Sequence, residues 1–376
     1  MTSPRRILVV VGTRPEAVKL APVIRRLRRQ PVRFETVVCA TAQHREMLDS
    51  VLSVFDVEPD IDLDLMRPEQ APNEVASRAF AALDGVIRER APEWLLVQGD
   101  TTTAMCAAVA AFHRRVRVGH VEAGLRTGDL DQPFPEEMNR RVVDLVADAY
   151  FAPTPRAAEA LAAEGALAER IHLTGNTVVD ALQEIAAQEG EVTEEDLVLV
   201  TAHRRESFGG GLAAIVRAVA RLARTHPSSR FVHVTHPNPN VRAALKGYGD
   251  LPNVELVEPL DYRSLVSLMR RARVILTDSG GIQEEAPTFG KPVLVLRNKT
   301  ERPEGIEAGI ARLVGTDEEK IFGEASRVLA GRSDLRRPAG AVNPYGDGRA
   351  AERIAAALAG LPYEPFEAAA PRVGVV

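Results

Sequence analysis

Cysteine is almost absent. The 376 residues hold two, Cys39 and Cys106, far apart and in apolar surroundings. That excludes a disulfide framework or a cysteine metal site and points to a reducing compartment, the cytoplasm. Long hydrophobic runs are missing too: none approaches the ~20 residues needed to span a bilayer, so no membrane partner is expected. The chain enters an apolar strand-like run at once, with no signal-peptide pattern before it. Positive charge is not in excess. Lys and Arg number 47 against 52 Asp and Glu, a net charge of −5, which leaves no electrostatic footprint for nucleic acid. The local cluster Arg25, Arg26, Arg28 and Arg29 reads as a solvated helix face. Also lacking are the G-x-G-x-x-G dinucleotide fingerprint, a glycine-lysine-threonine phosphate loop and an HExxH zinc pattern, so none of these three motifs marks a dinucleotide, nucleotide or zinc site.

What is present is ordinary for a globular protein: 45% hydrophobic and 26% charged residues. The length fits two domains of roughly 150 to 200 residues. Short β-branched runs alternate with helical patterns: Ile7 to Val11, Phe34 to Ala40, Trp94 to Val97, Val116 to Val121 and Ala149 to Ala152. The second half repeats the scheme at Leu197 to Val200, Phe231 to Val234, Val254 to Val257, Val274 to Leu276 and Val293 to Leu296. Continuous rather than alternating hydrophobicity signals parallel sheets covered on both faces, an α/β fold. The sequence divides into 1–172, 173–348 and a helix with tail at 349–376 that can return to the first domain.

Polar residues at the carboxyl ends of such strands carry the functional weight, because ligands bind there in parallel α/β sheets. Two strand-to-glycine-to-helix junctions stand near opposite ends of the chain, at Gly12-Thr13-Arg14-Pro15-Glu16 and at Thr277-Asp278-Ser279-Gly280-Gly281. Backbone N–H groups at such junctions suit a phosphate. Asp100 follows one strand and Glu122 the next; the bland alternatives are a helix cap for Asp100 and a pair with Arg126 for Glu122. Glu136 and Glu137 follow Pro133-Phe134-Pro135, and since Glu137 can pair with Arg141 one turn on, Glu136 is favoured for function. In the second half His203-Arg204-Arg205-Glu206 occupies a strand end, where arginines fit a diphosphate. His236 can shape its own turn, and Arg302 lies just past another strand. These residues support a phosphate-bearing ligand in an interdomain cleft with several carboxylates near it.

Taken together, Gly12 to Glu16, Gly99-Asp100-Thr101, His120-Val121-Glu122-Ala123-Gly124-Leu125-Arg126, Pro133 to Glu137, His203 to Glu206 and Asp278-Ser279-Gly280-Gly281 closely resemble the non-hydrolysing UDP-N-acetylglucosamine 2-epimerases. Thr300-Glu301-Arg302-Pro303-Glu304 and Asn343-Pro344-Tyr345-Gly346-Asp347-Gly348 continue the match in order. The resemblance implies two Rossmann-like domains of the glycosyltransferase-B fold and a homodimer. It implies interconversion of UDP-N-acetylglucosamine and UDP-N-acetylmannosamine without cofactor, the product feeding envelope polysaccharides. It also implies that Arg14 and Lys19 belong to the active site, that Asp100, Glu122 and Glu136 are the acid/base carboxylates, and that His203 assists near the diphosphate. Ser279, Gly280, Glu285 and Arg302 would hold UDP. An activator site for UDP-N-acetylglucosamine would use Gln43, Gln70, Arg205 and His236, together with Glu136. The departures are Gln98 where histidine is usual, Ser207 for asparagine, and Glu69 where some relatives have arginine; the last bears on the activator site. Competing activities on the same residues are a hydrolysing 2-epimerase, which would release UDP and N-acetylmannosamine, and a glycosyltransferase.

Overall fold

The computed structural model describes residues 3–41, 45–67, 70–204, 207–335 and 343–368. The chain forms two compact units. The first takes the chain through Ala181 and then Tyr345–Ala368; the second is Leu182–Pro344. A division drawn near residue 172 passes through a strand of the first sheet.

In the first unit β1 (Arg5–Val11), α1 (Arg14–Arg28), β2 (Phe34–Ala40), α2 (Arg45–Val54), β3 (Ile61–Asp62), α3 (Pro72–Arg90) and β4 (Trp94–Gln98) come first. They are followed by α4 (Thr102–His113), β5 (Arg117–Val121), α5 (Glu136–Val146), β6 (Ala149–Ala152), α6 (Pro155–Ala163) and β7 (Ile171–Leu173). The helix α7 (Thr177–Glu189) carries the chain onward. The strands pair in parallel in the order β3-β2-β1-β4-β5-β6-β7. Each strand between β1 and β6 is buried along its apolar run because helices cover both faces. Leu8, Val10, Leu95 and Val97 face the α3 and α4 side, packing with Leu83, Ile87, Ala107 and Ala111.

The second unit repeats the design with β8 (Leu197–Thr201), α8 (Gly210–Thr225), β9 (Arg230–Val234), α9 (Pro239–Leu245), β10 (Val254–Val257), α10 (Tyr262–Arg271) and β11 (Val274–Thr277). It ends with α11 (Gly280–Glu285), β12 (Val293–Val295), α12 (Glu304–Glu307), β13 (Ala311–Leu313) and α13 (Glu318–Leu329). Its parallel order is β10-β9-β8-β11-β12-β13. The final helix, α14 (Ala350–Ala359), returns to the first unit and packs against α1.

That return is held by buried polar bonds rather than by apolar contact alone. Arg353 donates to Asp347 at 2.7 and 2.6 Å, to the Thr174 carbonyl at 2.9 Å and to the Glu364 carbonyl at 2.8 Å. Asp180 on α7 accepts from the first amides of α14, Ala350 at 3.2 Å and Ala351 at 2.8 Å, the position where a carboxyl group best satisfies orphan helix donors. Burial nevertheless pushes the Asp180 carboxyl up to about 7.

Both sheets reverse strand order at one point, between β1 and β4 and between β8 and β11. These switch points open crevices at the carboxyl ends of the strands, where doubly wound folds bind ligands.

Candidate active site

The first switch point gathers the carboxylates. Glu122 follows β5 with φ +67°, a left-handed conformation that strains a residue with a Cβ, at a cost of order 1–3 kcal/mol. Its carboxylate sits in a socket that offsets the strain: Lys19 and Gln98 donate one to each oxygen, and Asn176 donates to Oε1 at 3.3 Å. Lys19 comes from α1, Gln98 ends β4 and Asn176 precedes α7, so three separate elements aim donors at one group. Gln98 therefore serves as an amide donor to Glu122. Arg126 is not its partner: it pairs with Asp144 and Glu164, both at 2.7 Å.

Asp100 follows Gly99, whose φ of +70° turns the chain sharply off β4. The cap of α4 is Thr101, not Asp100, since the Thr101 hydroxyl accepts from the Ala104 amide at 3.0 Å. Asp100 instead pairs with Arg140 on α5, and Asn139 on the same helix donates to its backbone carbonyl at 2.9 Å. Glu137 is absorbed by Arg140 at 3.1 Å, Arg141 at 3.2 Å and the Thr127 amide at 3.1 Å. Its neighbour Glu136 is different. The Glu136 Oε2 atom is buried with no hydrogen-bond partner among the described residues, the kind of group a ligand satisfies. Arg14 lies half-buried at the start of α1. Near it, Glu16 accepts from the Gly12 amide, the Thr13 amide at 2.8 Å and the Thr101 hydroxyl at 2.6 Å, tying the turn after β1 to the turn after β4. Burial pushes the Glu16 carboxyl up to about 7 against those hydrogen bonds.

In the second unit His203 follows β8, with its ring stacked on His236 at 5.0 Å between centroids and 20° between planes. Asp278, fully buried after β11, accepts from the His203 and Arg204 amides, both at 2.8 Å, and so joins the ends of β8 and β11. Burial raises its carboxyl above the usual range, while the facing His203 and the amides oppose the shift. Its other oxygen has no partner among the described residues. Ser279 and Gly280 open α11, and a Cβ on Gly280 would lie 2.8 Å from the Arg302 guanidinium carbon, so a side chain there would push that arginine aside. Arg302 is fixed by Glu284 at 2.7 Å and by Glu301, whose carboxyl the arginines Arg302 and Arg297 hold down at about 2 despite burial. Glu285 is nearly buried and accepts from the Tyr262 hydroxyl at 3.4 Å.

Of the four activator candidates, Gln43 and Arg205 lie outside the described residues. Gln70 spends its side chain within its own loop, accepting from the Arg67 amide at 2.6 Å, and His236 accepts from the Asn238 amide at 3.2 Å as well as stacking on His203. Sequence reasoning missed Arg140, Asn176 and Glu16. Glu16 lay inside a recognised motif without an assigned partner, Arg140 lay three residues beyond the Pro133 to Glu137 motif, and Asn176 lay just past the boundary drawn at residue 172. No group of three or more His, Cys, Asp or Glu is arranged to hold a metal among the described residues, and no described helix is long and apolar enough to cross a membrane.

Two doubly wound parallel sheets in one chain, each with polar residues at its switch point, define the glycosyltransferase-B class of fold, whose two Rossmann-like units take nucleotide-linked ligands at strand ends. The sequence profile of one such family, UDP-N-acetylglucosamine 2-epimerase, matches residues 25–359. A UDP-N-acetylglucosamine 2-epimerase of Escherichia coli K12 is 47% identical over 369 residues, covering 94% of this chain and 98% of that protein. A UDP-N-acetylglucosamine 2-epimerase of Bacillus subtilis is 44% identical over 93% of each chain. Among solved structures, that of the Neisseria meningitidis UDP-GlcNAc 2-epimerase bound to UDP-GlcNAc aligns with a TM-score of 0.86 at 41% identity, covering 94% of this chain and 99% of that one. The chain belongs to the UDP-N-acetylglucosamine 2-epimerase family, and the protein is an isomerase.

Proposed function

We propose that this enzyme interconverts UDP-N-acetylglucosamine and UDP-N-acetylmannosamine without net hydrolysis, by eliminating UDP and adding it back. The observation that carries this reading is the first-unit carboxylate set: Glu122 in its three-donor socket, Asp100 against Arg140, and Glu136 with a buried free oxygen. Inverting C2 by simple deprotonation is difficult because no carbonyl stabilises a carbanion there. Elimination removes that obstacle. One carboxylate takes the C2 proton, the C1–C2 double bond forms, and the C1–O bond breaks with its electron pair leaving on UDP. The intermediate is 2-acetamidoglucal. A second carboxylate delivers a proton to the opposite face of C2, and UDP re-adds at C1. Inversion therefore calls for an acid and a base on different faces, which one carboxylate cannot supply.

In this reading Arg14 and Lys19 line the sugar side. Ser279, Gly280 and Arg302 receive the diphosphate, His203 stands beside it, and Glu285 takes the ribose hydroxyls. Charge that develops on the leaving diphosphate meets the backbone amides and guanidinium, donors already fixed in place. UDP-N-acetylglucosamine also acts as an activator through Gln43, Gln70, Arg205 and His236, and the active species is a homodimer.

Proton and phosphorus NMR with UDP-N-acetylglucosamine in D2O, without added cofactor, tests the proposal. UDP-N-acetylmannosamine carrying deuterium at C2 is the expected product. UDP with free N-acetylmannosamine would instead assign the hydrolysing reaction, and retention of hydrogen at C2 would rule out the proton-transfer route.

A further inference from the structure

Asp100 hangs on a turn that must be held still for proton transfer. Gly99 has a left-handed backbone, and a glycine turn is the softest place to hang a carboxylate that must stay within hydrogen-bonding reach of a reacting proton. Three groups clamp it. Asn139 holds the Asp100 carbonyl, Arg140 holds the carboxylate, and His120 holds the Gly99 carbonyl.

His120 is the unusual member. Its ring, on β5, is fully buried, with Nε2 2.9 Å from the Gly99 carbonyl oxygen and Nδ1 2.6 Å from Asp144 Oδ1. A carbonyl oxygen can only accept, so Nε2 must carry a proton. Asp144 also only accepts: burial would raise its carboxyl, but His120 and Arg126 outweigh that and hold it below the usual range. The Gly124 amide and Arg126 donate to its other oxygen at 3.3 and 2.7 Å, which leaves Oδ1 to face His120 Nδ1. Arg126 is shared with Glu164 at 2.7 Å.

We propose that His120 is a positioning residue, a buried ring that grips the Gly99 carbonyl, is anchored by Asp144 on α5, and thereby fixes the Asp100 carboxylate for proton transfer. The inference rests on Asp100 being one of the acid/base groups. It is distinct from any contact with the ligand, since the ring lies wholly within the first unit's interior. Asp144 sits two turns along the helix that begins at Glu136, so the same bridge ties the element carrying one carboxylate to the turn carrying another.

The two amide isosteres of histidine separate its two bonds. In His120→Gln the amide nitrogen falls where Nε2 was and keeps the donor to Gly99; in His120→Asn it falls where Nδ1 was and keeps only the bond to Asp144. The expected result is a kcat loss of up to about 100-fold for His120→Asn, a misplacement effect, with UDP affinity by calorimetry unchanged. His120→Gln should lie within about tenfold of the natural enzyme. A residue that merely supports the fold would give equal losses in both variants, in step with Tm, and that outcome would overturn the proposal.

Nitrogen-15 NMR of ring-labelled histidine in the unaltered protein provides a readout that survives any folding failure of the variants. A proton on the His120 ring nitrogen that faces the Gly99 carbonyl is expected; an unprotonated Nε2 would overturn the inference. Asp100→Asn, assayed in parallel, keeps the two readings apart. Normal turnover there would remove Asp100 from the chemistry and with it the catalytic purpose assigned to His120. An inactive Asp100→Asn beside a fully active His120→Asn would sink the positioning role alone.

Discussion

Burial of Glu16 makes the stability of the first unit depend on pH. Its carboxyl is buried, and burial lifts it from 4.5 in the unfolded chain to about 7 in the folded one. Between those values the folded state keeps a proton that the unfolded chain has released. The stabilisation is therefore fully present below pH 4.5 and is lost as pH rises toward 7. Each pH unit in that window lowers the unfolding free energy by about 1.4 kcal/mol, so the whole span amounts to about 3 kcal/mol. Asp180, raised from 3.8 to about 7 in the same unit, tilts stability the same way. Glu16→Gln is the informative substitution because glutamine copies the protonated acid. Its carbonyl can accept from the Gly12 and Thr13 amides while its NH2 donates to the Thr101 hydroxyl. Trp94 is the single tryptophan and is buried in β4 of that unit, so its emission during urea unfolding reports on the right part of the chain. In titrations at pH 5, 6 and 7 the natural protein should lose stability steadily. The Gln variant should lose about 1.4 kcal/mol less per pH unit, with the Asp180 share remaining. Parallel pH slopes for the two proteins would refute the argument that Glu16 binds its proton in the folded state.

Glu122→Gln should keep UDP binding, because the shape stays and UDP is assigned to the other unit, yet lose roughly 10²- to 10⁴-fold in turnover; near-normal turnover would remove Glu122 from the acid/base set. Arg302→Ala should weaken UDP binding by roughly 1.5 to 3 kcal/mol and lower Tm, because Glu284 is left buried without its guanidinium; unchanged affinity by calorimetry would refute the assignment. Gly280→Ala should weaken UDP binding by displacing the same arginine, but cost little more once Arg302 is already alanine. Additive losses in that double mutant would show the two acting independently.

The α/β character and the main strands were legible because both sheets are central, parallel and buried, and so print continuous Val, Ile and Leu runs. The edge strands β3 and β13 were not, since β3 has only two residues and β13, Ala311-Arg312-Leu313, has a charged residue between its apolar ends. The carboxylates at strand ends were readable by position. Their partners were not: the sequence gives no sign that Asn176 reaches back to Glu122, that Asp144 faces His120, or that Arg140 and not a helix cap occupies Asp100. Those pairings depend on which strands neighbour one another, which is settled by the sheet order.

The returning segment has a consequence for how the molecule is made. The ribosome emits residues through Ala181, then the whole second unit, and only then Tyr345, Arg353 and Phe366. The Asn176 amide waits for the Tyr345 carbonyl at 2.7 Å, the Leu173 carbonyl for the Phe366 amide at 2.9 Å, and the Thr174 carbonyl for Arg353. Domains ordinarily fold in the order of synthesis. Here the unit that is begun first is closed last, and its final clasp lies within five residues of Glu122's partner Asn176, so the donor socket around Glu122 is completed only after the second unit has been delivered.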